Sequence, residues 1–483
     1  MTALSVHRPA RTRSGDLWWA TTVLIFAGAV LLRLPGLSTD LWLDEVWSLQ
    51  GALEAQNWQH LLLQRKIDNN HHLNSLYLYF VGPQSNAVVY RLLAFVSGVG
   101  TLTTAWLIGA RDSRLTATVT VLLFGSSYLM VFYASEARGY ATVVWLTLAA
   151  WYCVTRYAEA PRARWAAGFA ACSVLGVMAH QTFVMFFAGA YVWFDAHLQW
   201  TQQTLRAVTR ATRRLFLAPT ILIAVYYLIA VFGQEVGGGP PFRPVTVVAQ
   251  TLSAIGGGPQ VGVGLWTAGT LVAAVFILSM RSAHRLGDDR WLLYLVAGFV
   301  IPAILTVARQ PPTLSPRYFI VPTSVLLLGA SVWLSRKLTQ GGAAMVGAAA
   351  LVAAHMTGGV LHTMSDAASR GHYREALRRM VASSTNEEIT VASADRYGGH
   401  DFRAGTLIGY YSRALAAEGR IRYVTAEEYP LAGADWMIVE TLGEPPRPSV
   451  MDRVGHTFAL TDVYPAGDLS GTTWYVYRRR LPG

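Results

Sequence analysis

Two adjacent carboxylates, Asp44 and Glu45, are the residues of this sequence that are best suited to acid–base chemistry. They follow the first long apolar stretch and are flanked by Trp42 and Trp47. A carboxylate held at a partly dry interface can act as a general base toward a reacting hydroxyl group. Acidic pairs are also common on solvated helix faces, and this alternative stays open at the level of the sequence.

A second polar segment follows Asp44 and Glu45, where residues 68–72 combine one carboxylate, two amides and the imidazoles of His71 and His72. Such groups can hold the hydroxyls of a sugar or a divalent ion. The segment has no paired spacing of metal ligands, so it favours a polar binding rim over a metal site. We predict that His71 and His72 contact substrate, with no cofactor required and a divalent cation left open.

Further charged residues interrupt the apolar sequence at the ends of predicted membrane spans. Charges at membrane depth are costly and usually functional, although Glu136 and Arg138 can instead pair with each other. Guanidinium groups at the outer membrane surface are suited to binding a phosphate. The predicted phosphate ligands, in decreasing order, are Arg138, Arg317 and Arg91. The predicted substrate-binding residues beside them are Glu136, Tyr140 and Tyr318.

The composition is that of a membrane protein. Apolar residues make up 53% of the 483 residues and charged residues 14%, whereas a soluble domain has about a quarter charged residues. The net charge of +11 comes from short basic clusters between apolar runs, which indicates topology signals and no nucleic-acid partner. The two cysteines, Cys153 and Cys172, lie inside apolar runs and form no disulfide framework.

Apolar runs of about 20 residues predict roughly eleven transmembrane helices. The predicted spans are 17–34, 87–110, 115–133, 139–157, 165–182, 183–200, 215–233, 261–280, 291–307, 318–335 and 341–363. Most basic residues of the short loops fall on one side, so the positive-inside rule places the N-terminal tail, 1–16, in the cytoplasm. The protein is thus predicted to be a multi-pass protein of the cell (cytoplasmic) membrane.

This topology places the first long loop, 35–86, and everything after about 364 outside the cytoplasm. In the loop, apolar residues between 41 and 49 recur at helical spacing, which predicts an amphipathic helix in the membrane interface. A second such helix is predicted at 71–82. The transmembrane domain is thus 17–363, and 364–483 has the composition of a soluble α/β domain. Its predicted strands are Ile389 to Ser393, Ile421 to Val424, Trp436 to Glu440, His456 to Tyr464 and Thr472 to Arg478.

Four segments together resemble a known family. They are Leu41-Trp-Leu-Asp-Glu-Val-Trp-Ser48, the pair His71-His72, Arg91-Leu-Leu-Ala, and Glu136-Ala-Arg138-Gly-Tyr140. This arrangement is similar to that of the GT-C membrane glycosyltransferases of the protein mannosyltransferase and aminoarabinose transferase type. The resemblance covers roughly residues 17–335 and is clearest in the first 160.

The resemblance implies transfer of a sugar from a polyprenyl-phosphate donor to an acceptor at the outer face, with inversion at the anomeric carbon. Asp44 matches the acidic residue that these enzymes use as a base, and Glu45 matches a second acid that orients the acceptor or shares the proton. His72 departs from the family pattern, because Leu73 and Asn74 follow it. The acceptor is a lipid, a cell-envelope glycan or a protein.

Two other classes remain as alternatives. A transporter or flippase for a lipid-linked substrate would show inverted repeats and ionisable groups at the bilayer midplane. The sequence has no evident repeat, and its charged residues gather at one interface. A non-catalytic membrane scaffold would not need Asp44 or the arginines, and all of them are present.

Overall fold

Long apolar runs form long helices in the structure, which is a computed structural model of the chain. It describes residues 13–67, 69–201, 203–234, 243–309, 314–394, 402–415, 417, 419–425, 427–429, 433–441, 445–452, 454–467, 469 and 471–480. Asp68 of the predicted polar segment lies outside these residues.

The helices up to residue 369 form one bundle with three short helices of the first loop above it. They are α1 (Arg13–Leu31), α2 (Leu43–Leu53), α3 (Trp58–Leu63), α4 (His72–Val81), α5 (Ala87–Gly109), α6 (Arg114–Ser126), α7 (Tyr128–Tyr133), α8 (Tyr140–Glu159), α9 (Ala163–Ala179), α10 (Phe183–Trp200), α11 (Leu205–Tyr226), α12 (Pro244–Gly256), α13 (Gly262–Arg285), α14 (Trp291–Leu295), α15 (Ile301–Arg309), α16 (Ile320–Thr339) and α17 (Gly342–Ser369). Turns of π-helix at Tyr227–Val231 and Val296–Val300 extend α11 and join α14 to α15.

All eleven predicted spans coincide with helices, and the chain is a multi-pass membrane protein. Among the described residues, 7 helices are long and apolar enough to cross a membrane. The predicted runs 115–133, 139–157, 165–182 and 183–200 are helical but fall outside these seven. Ser127 breaks the first of them, because its extended backbone (φ −60°, ψ 118°) separates α6 from α7. The number of spans therefore stays a prediction.

Loops that were predicted to share a side of the membrane lie together. At one end of the bundle, Arg290 pairs with Asp112 and Asp288 at 2.9 and 2.7 Å. Arg336 lies 3.4 Å from the same Asp288. At the other end, the first loop contacts the C-terminal domain through the hydrogen bond from Tyr411 to the Leu41 carbonyl.

The C-terminal domain is a mixed sheet covered by two helices, α18 (Tyr373–Ser383) and α19 (Phe402–Ala414). The strands are β1 (Ile389–Ser393), β2 (Ile421–Tyr423), β3 (Trp436–Thr441), β4 (Ser449–Met451), β5 (Thr457–Tyr464) and β6 (Thr473–Arg479). Their order in the sheet is β2-β1-β3-β6-β5-β4, with β1 parallel to β2 and β3 and the remaining pairs antiparallel. The five predicted strands are confirmed, and the three-residue β4 was missed because it is too short to show a pattern.

The predicted amphipathic helices exist as α2 and α4, but the expectation that the apolar side of α2 lies in lipid is wrong. Val46 and Leu49 of α2 are fully buried. They share an apolar cluster with Leu407 and Tyr411 of α19. The helix therefore buries its apolar side inside the protein, beneath the C-terminal domain.

Candidate active site

Asp44 lies in the first turn of α2, where the side chain of Glu45 accepts a hydrogen bond from the Trp42 backbone N–H at 3.1 Å and caps the helix. The Asp44 carboxylate pairs with the guanidinium groups of two arginines through the same oxygen, Oδ2. Arg138 is in hydrogen-bond contact with it, and Arg317 lies 3.3 Å away. The side chain of Asp44 remains 14% exposed, so it is partly accessible to solvent.

Arg138 is almost completely enclosed, with 4% of its side chain exposed. Its Nη2 lies 2.8 Å from Nε2 of His71. Its guanidinium also lies over the rings of Trp42 and Tyr140, with 5.7 and 5.2 Å to the ring centroids. Aromatic faces attract a cation without neutralising it, so these contacts hold the guanidinium in place and preserve its charge.

His71 is a neutral partner of Arg138. Burial, followed by the nearby guanidinium of Arg138, holds the pKa of His71 well below its usual 6.5. With Nε2 accepting from Arg138, Nδ1 carries the proton and donates to the Ala179 carbonyl at 3.3 Å. The ring of His180 stacks on His71 at 5.0 Å. His71 therefore adds no charge to this site at neutral pH.

Arg317 is the more accessible arginine, with 20% of its side chain exposed. It belongs to a short 3₁₀ helix, Pro316–Phe319, that leads into α16. Its guanidinium lies 5.6 Å from the ring centroids of both Trp42 and Tyr318. We call Asp44, Arg138, Arg317 and His71 the Asp44 cluster.

Glu45 is next to Asp44 in the sequence but has a different environment, because its side chain is 0% exposed. Oε1 accepts from Arg91 Nε at 2.8 Å and from the Ala137 backbone N–H at 2.7 Å, and Oε2 accepts from Arg91 Nη2 at 2.6 Å. Burial alone would raise the pKa of Glu45, but the charge and hydrogen bonds of Arg91 outweigh burial and lower it. Glu45 is therefore an ionised, fully paired carboxylate.

The structure does not support the prediction that Arg91 binds phosphate. Besides Glu45, its guanidinium donates to the carbonyls of Gly36, Thr39 and Asp40 at 2.9, 2.7 and 3.0 Å. Its side chain is fully buried, so its donors are already used by the protein. For the same reason, the predicted role of Glu45 in orienting the acceptor or sharing a proton does not fit its position.

One arginine of this region was missed by the sequence reasoning. Arg370 follows α17, is buried, and places Nη2 3.8 Å from Glu45 Oε2. Its Nη1 donates to Ser135 Oγ at 3.3 Å. The available sequence signal was a basic residue shortly after the last predicted span, 341–363, on the side predicted to be external. We call Glu45, Arg91 and Arg370 the Glu45 cluster.

Of the other predicted site residues, Glu136, Tyr140 and Tyr318 lie next to the Asp44 cluster. Glu136 is buried and accepts a hydrogen bond from the Trp42 indole N–H, which places it between the two clusters. Burial raises its pKa, against the opposing charge of Arg370. Tyr140 and Tyr318 contact the two arginines of the Asp44 cluster.

His72 lies apart from the Asp44 cluster. It begins α4 and its Nδ1 forms a hydrogen bond with the Tyr226 hydroxyl. Burial lowers the pKa of His72 to about 4. His71 and His72, adjacent in the sequence, thus contact different neighbours, and the geometry brings only His71 to Asp44.

Metal ligands are not grouped in the part of the chain that the structure describes. No three His, Cys, Asp or Glu side chains come close enough there to hold an ion. The divalent cation that the sequence left open therefore gains no candidate site, and we derive no chemical step from a metal.

The architecture defines a class of protein, a membrane helix bundle with a small C-terminal sheet domain and an ion-paired aspartate at their junction. It is similar to the crystal structure of ArnT from Cupriavidus metallidurans in the apo state, with a TM-score of 0.50 and 11% sequence identity. The match covers 96% of this chain and 98% of that chain. No protein-family model and no curated protein sequence matches the chain. The chain therefore has the GT-C membrane glycosyltransferase fold that the sequence resemblance implied.

Proposed function

We propose that this protein is an inverting glycosyltransferase that moves a sugar from a polyprenyl-phosphate donor to an acceptor hydroxyl at the extracytoplasmic face. The observation that carries the proposal is the Asp44 cluster, in which one accessible carboxylate lies between two guanidinium groups. The GT-C fold supports the general class. The acceptor is a lipid, a cell-envelope glycan or a protein.

The charge of the Asp44 cluster suits an anionic donor. One carboxylate against two guanidinium groups leaves one positive charge, and His71 is neutral. A sugar linked to polyprenyl phosphate carries one negative charge on its phosphodiester, which would balance this excess. Arg317 is the better candidate for first contact because it is more exposed than Arg138. Guanidinium groups bind phosphate oxygens in a planar, two-pronged geometry.

The proposed reaction is a single displacement. The acceptor oxygen attacks the anomeric carbon, the bond from that carbon to the phosphate oxygen breaks, and polyprenyl phosphate leaves with the bonding electrons. Asp44 takes the proton of the acceptor hydroxyl. Arg138 and Arg317 stabilise the second negative charge that develops on the phosphate, which is a transition-state interaction fixed in place before reaction. One displacement inverts the anomeric configuration.

A transporter is less well supported. Transporters bind their substrates near the bilayer midplane. Both ion clusters instead lie at the end of the bundle that contacts the C-terminal domain. The contact is shown by Asp40 of the first loop, whose carboxylate accepts a hydrogen bond from the Arg374 backbone N–H at 2.8 Å. We place this end outside the cytoplasm on the distribution of basic residues.

The test is release of polyprenyl phosphate by the purified full-length protein from a panel of polyprenyl-phosphate sugars with an envelope extract as acceptor. We expect turnover by the wild type and a loss of about 100- to 10,000-fold in Asp44→Asn. The matched control is Glu54→Gln, since Glu54 is an exposed acid at the other end of α2. Turnover that survives in Asp44→Asn, or transport of the lipid without cleavage, would contradict the proposal.

A further inference from the structure

The backbone just before Asp44 is held by the C-terminal domain. The Asp40 carboxylate accepts from the Arg374 backbone N–H at 2.8 Å, and the Leu41 carbonyl accepts from the Tyr411 hydroxyl at 2.8 Å. Burial raises the pKa of Tyr411 well above its usual 10, so the hydroxyl keeps its proton and donates. Two consecutive residues of the first loop are thus held by α18 and α19 of the C-terminal domain.

The polypeptide approaches this segment closely where the last membrane helix enters the domain. Gly371 has φ +68°, and a Cβ atom there would lie 2.9 Å from the Asp40 carbonyl oxygen. Glycine adopts this left-handed conformation without strain and leaves room for the neighbouring chain. The close approach brings Arg374 to Asp40.

Apolar packing continues the same contact along α2. Leu41, Trp42 and Val46 are buried in one cluster with residues of α18 and α19. The domain side of the cluster includes Tyr373, Leu377, Leu407, Ile408 and Tyr411. Buried side chains of this size contribute about 1.5–3 kcal/mol each, so this packing anchors α2 to the C-terminal domain.

Arg370 extends the contact to the second half of the site. It lies 3.8 Å from Glu45, the residue after Asp44, and donates to Ser135, three residues before Arg138. One side chain at the domain junction therefore contacts both the segment that carries Asp44 and the segment that carries Arg138.

We infer that the C-terminal domain is a positioning part of the active site, and that Tyr411 and Asp40 hold the N-terminus of α2 so that the Asp44 carboxylate faces Arg138 and Arg317. Tyr411 and Asp40 are positioning residues, since they touch the backbone and not the ion pair. The kinetic part of this inference rests on the proposed function, and the structural part does not.

The structural part is tested by hydrogen–deuterium exchange of the full-length protein. Tyr411→Phe removes the hydroxyl and leaves the Leu41 carbonyl without its donor, so amide exchange across residues 41–45 should become faster. Tyr410→Phe is the matched control, because the Tyr410 hydroxyl forms no hydrogen bond to any residue that the structure describes. Equal exchange in the two variants would overturn the inference, whatever the protein does.

The kinetic part is tested by measuring turnover and dividing it by the number of protein molecules that bind polyprenyl phosphate. This normalisation removes the contribution of unfolded protein. Tyr411→Phe should lower kcat by roughly 10- to 100-fold with little change in KM for the donor, because misplacement of a reacting group by about 1 Å has effects of this order. In an Asp44→Asn background, the same change should have no further effect. A multiplicative loss in that background would overturn the inference, since Tyr411 would then not act through Asp44.

Failure of the proposed function gives a different result. If the wild type cleaves no donor while Tyr411→Phe still speeds exchange at residues 41–45, the contact positions this helix as inferred and the proposed glycosyltransfer is wrong. If the wild type is active but residues 41–45 exchange no faster in Tyr411→Phe than in Tyr410→Phe, the proposed function stands and the positioning role of Tyr411 is wrong.

Discussion

The Asp44 cluster and the Glu45 cluster contain the same chemical groups but differ in how fully those groups are used. Arg91 directs its donors at Glu45 and at backbone carbonyls, and both side chains are 0% exposed. Asp44 pairs through one carboxylate oxygen and keeps 14% exposure. The buried Glu45–Arg91 pair, whose polar atoms are bound by the protein, stabilises the structure, whereas the partly exposed Asp44 cluster is available to a ligand.

The largest expected difference between Asp44 and Glu45 is in the turnover of their variants. Asp44→Asn should reduce turnover by about 100- to 10,000-fold in protein that still folds and binds polyprenyl phosphate. Glu45→Gln should reduce turnover per binding site much less, because Glu45 does not face the reacting groups and acts only through the position of α2. The measurement is polyprenyl phosphate release per binding site for both variants side by side. Equal losses per site would remove the distinction between the clusters.

The next largest effect is on stability and concerns the buried Glu45–Arg91 pair. Glu45→Gln leaves Arg91 buried without its anionic partner, which should lower the free energy of unfolding by about 3–5 kcal/mol. The measurement is denaturant unfolding in detergent. Arg422→Gln is the control, because Arg422 and Glu388 form an exposed pair at 2.8 Å whose loss should cost less than about 1 kcal/mol. A Glu45→Gln protein as stable as this control would show that the buried pair is not structural.

A smaller effect separates the arginines by ligand affinity. Arg317→Gln should weaken binding of polyprenyl phosphate by about 10- to 100-fold, because a hydrogen bond to a charged group contributes about 1.5–3 kcal/mol. Arg91→Lys should leave the affinity of the folded protein within about twofold, since the Arg91 donors are used internally. Binding is measured with the lipid phosphate alone. The reverse pattern would restore Arg91 as a phosphate ligand.

The smallest effect is acid sensitivity, to which His71 of the Asp44 cluster should contribute. The folded pKa of His71 is depressed, so the unfolded chain binds more protons, and stability is lost as the pH falls below 6.5 toward the folded pKa. At pH 5.5 the loss that comes from His71 alone is about 1 kcal/mol relative to pH 7.5. His71→Asn should reduce this loss, as measured by unfolding at both pH values. An unchanged pH dependence in His71→Asn would show that His71 is not held neutral.

The fold was largely predictable because its signals are local. Apolar runs of sufficient length predicted helices that the structure confirms, and alternating apolar residues predicted the five longer strands of the C-terminal domain. The candidate site was predictable in part. Asp44, Arg138, Arg317 and His71 come together because each lies at the same end of a span or loop, which alternation of the chain across the membrane already implies.

Three-dimensional packing decided which partner each charged side chain has, and no local sequence pattern encodes this. Asp44 and Glu45 are neighbours, but successive residues of a helix point about 100° apart, so one faces the accessible arginines and the other the buried Arg91. Arg91 is saturated because the backbone at 36–40 folds around its guanidinium, and Arg370 reaches Glu45 from the C-terminal end of α17. Chemical type and membrane side follow from short stretches of sequence, whereas the partner of a charge depends on chain segments that are distant in sequence.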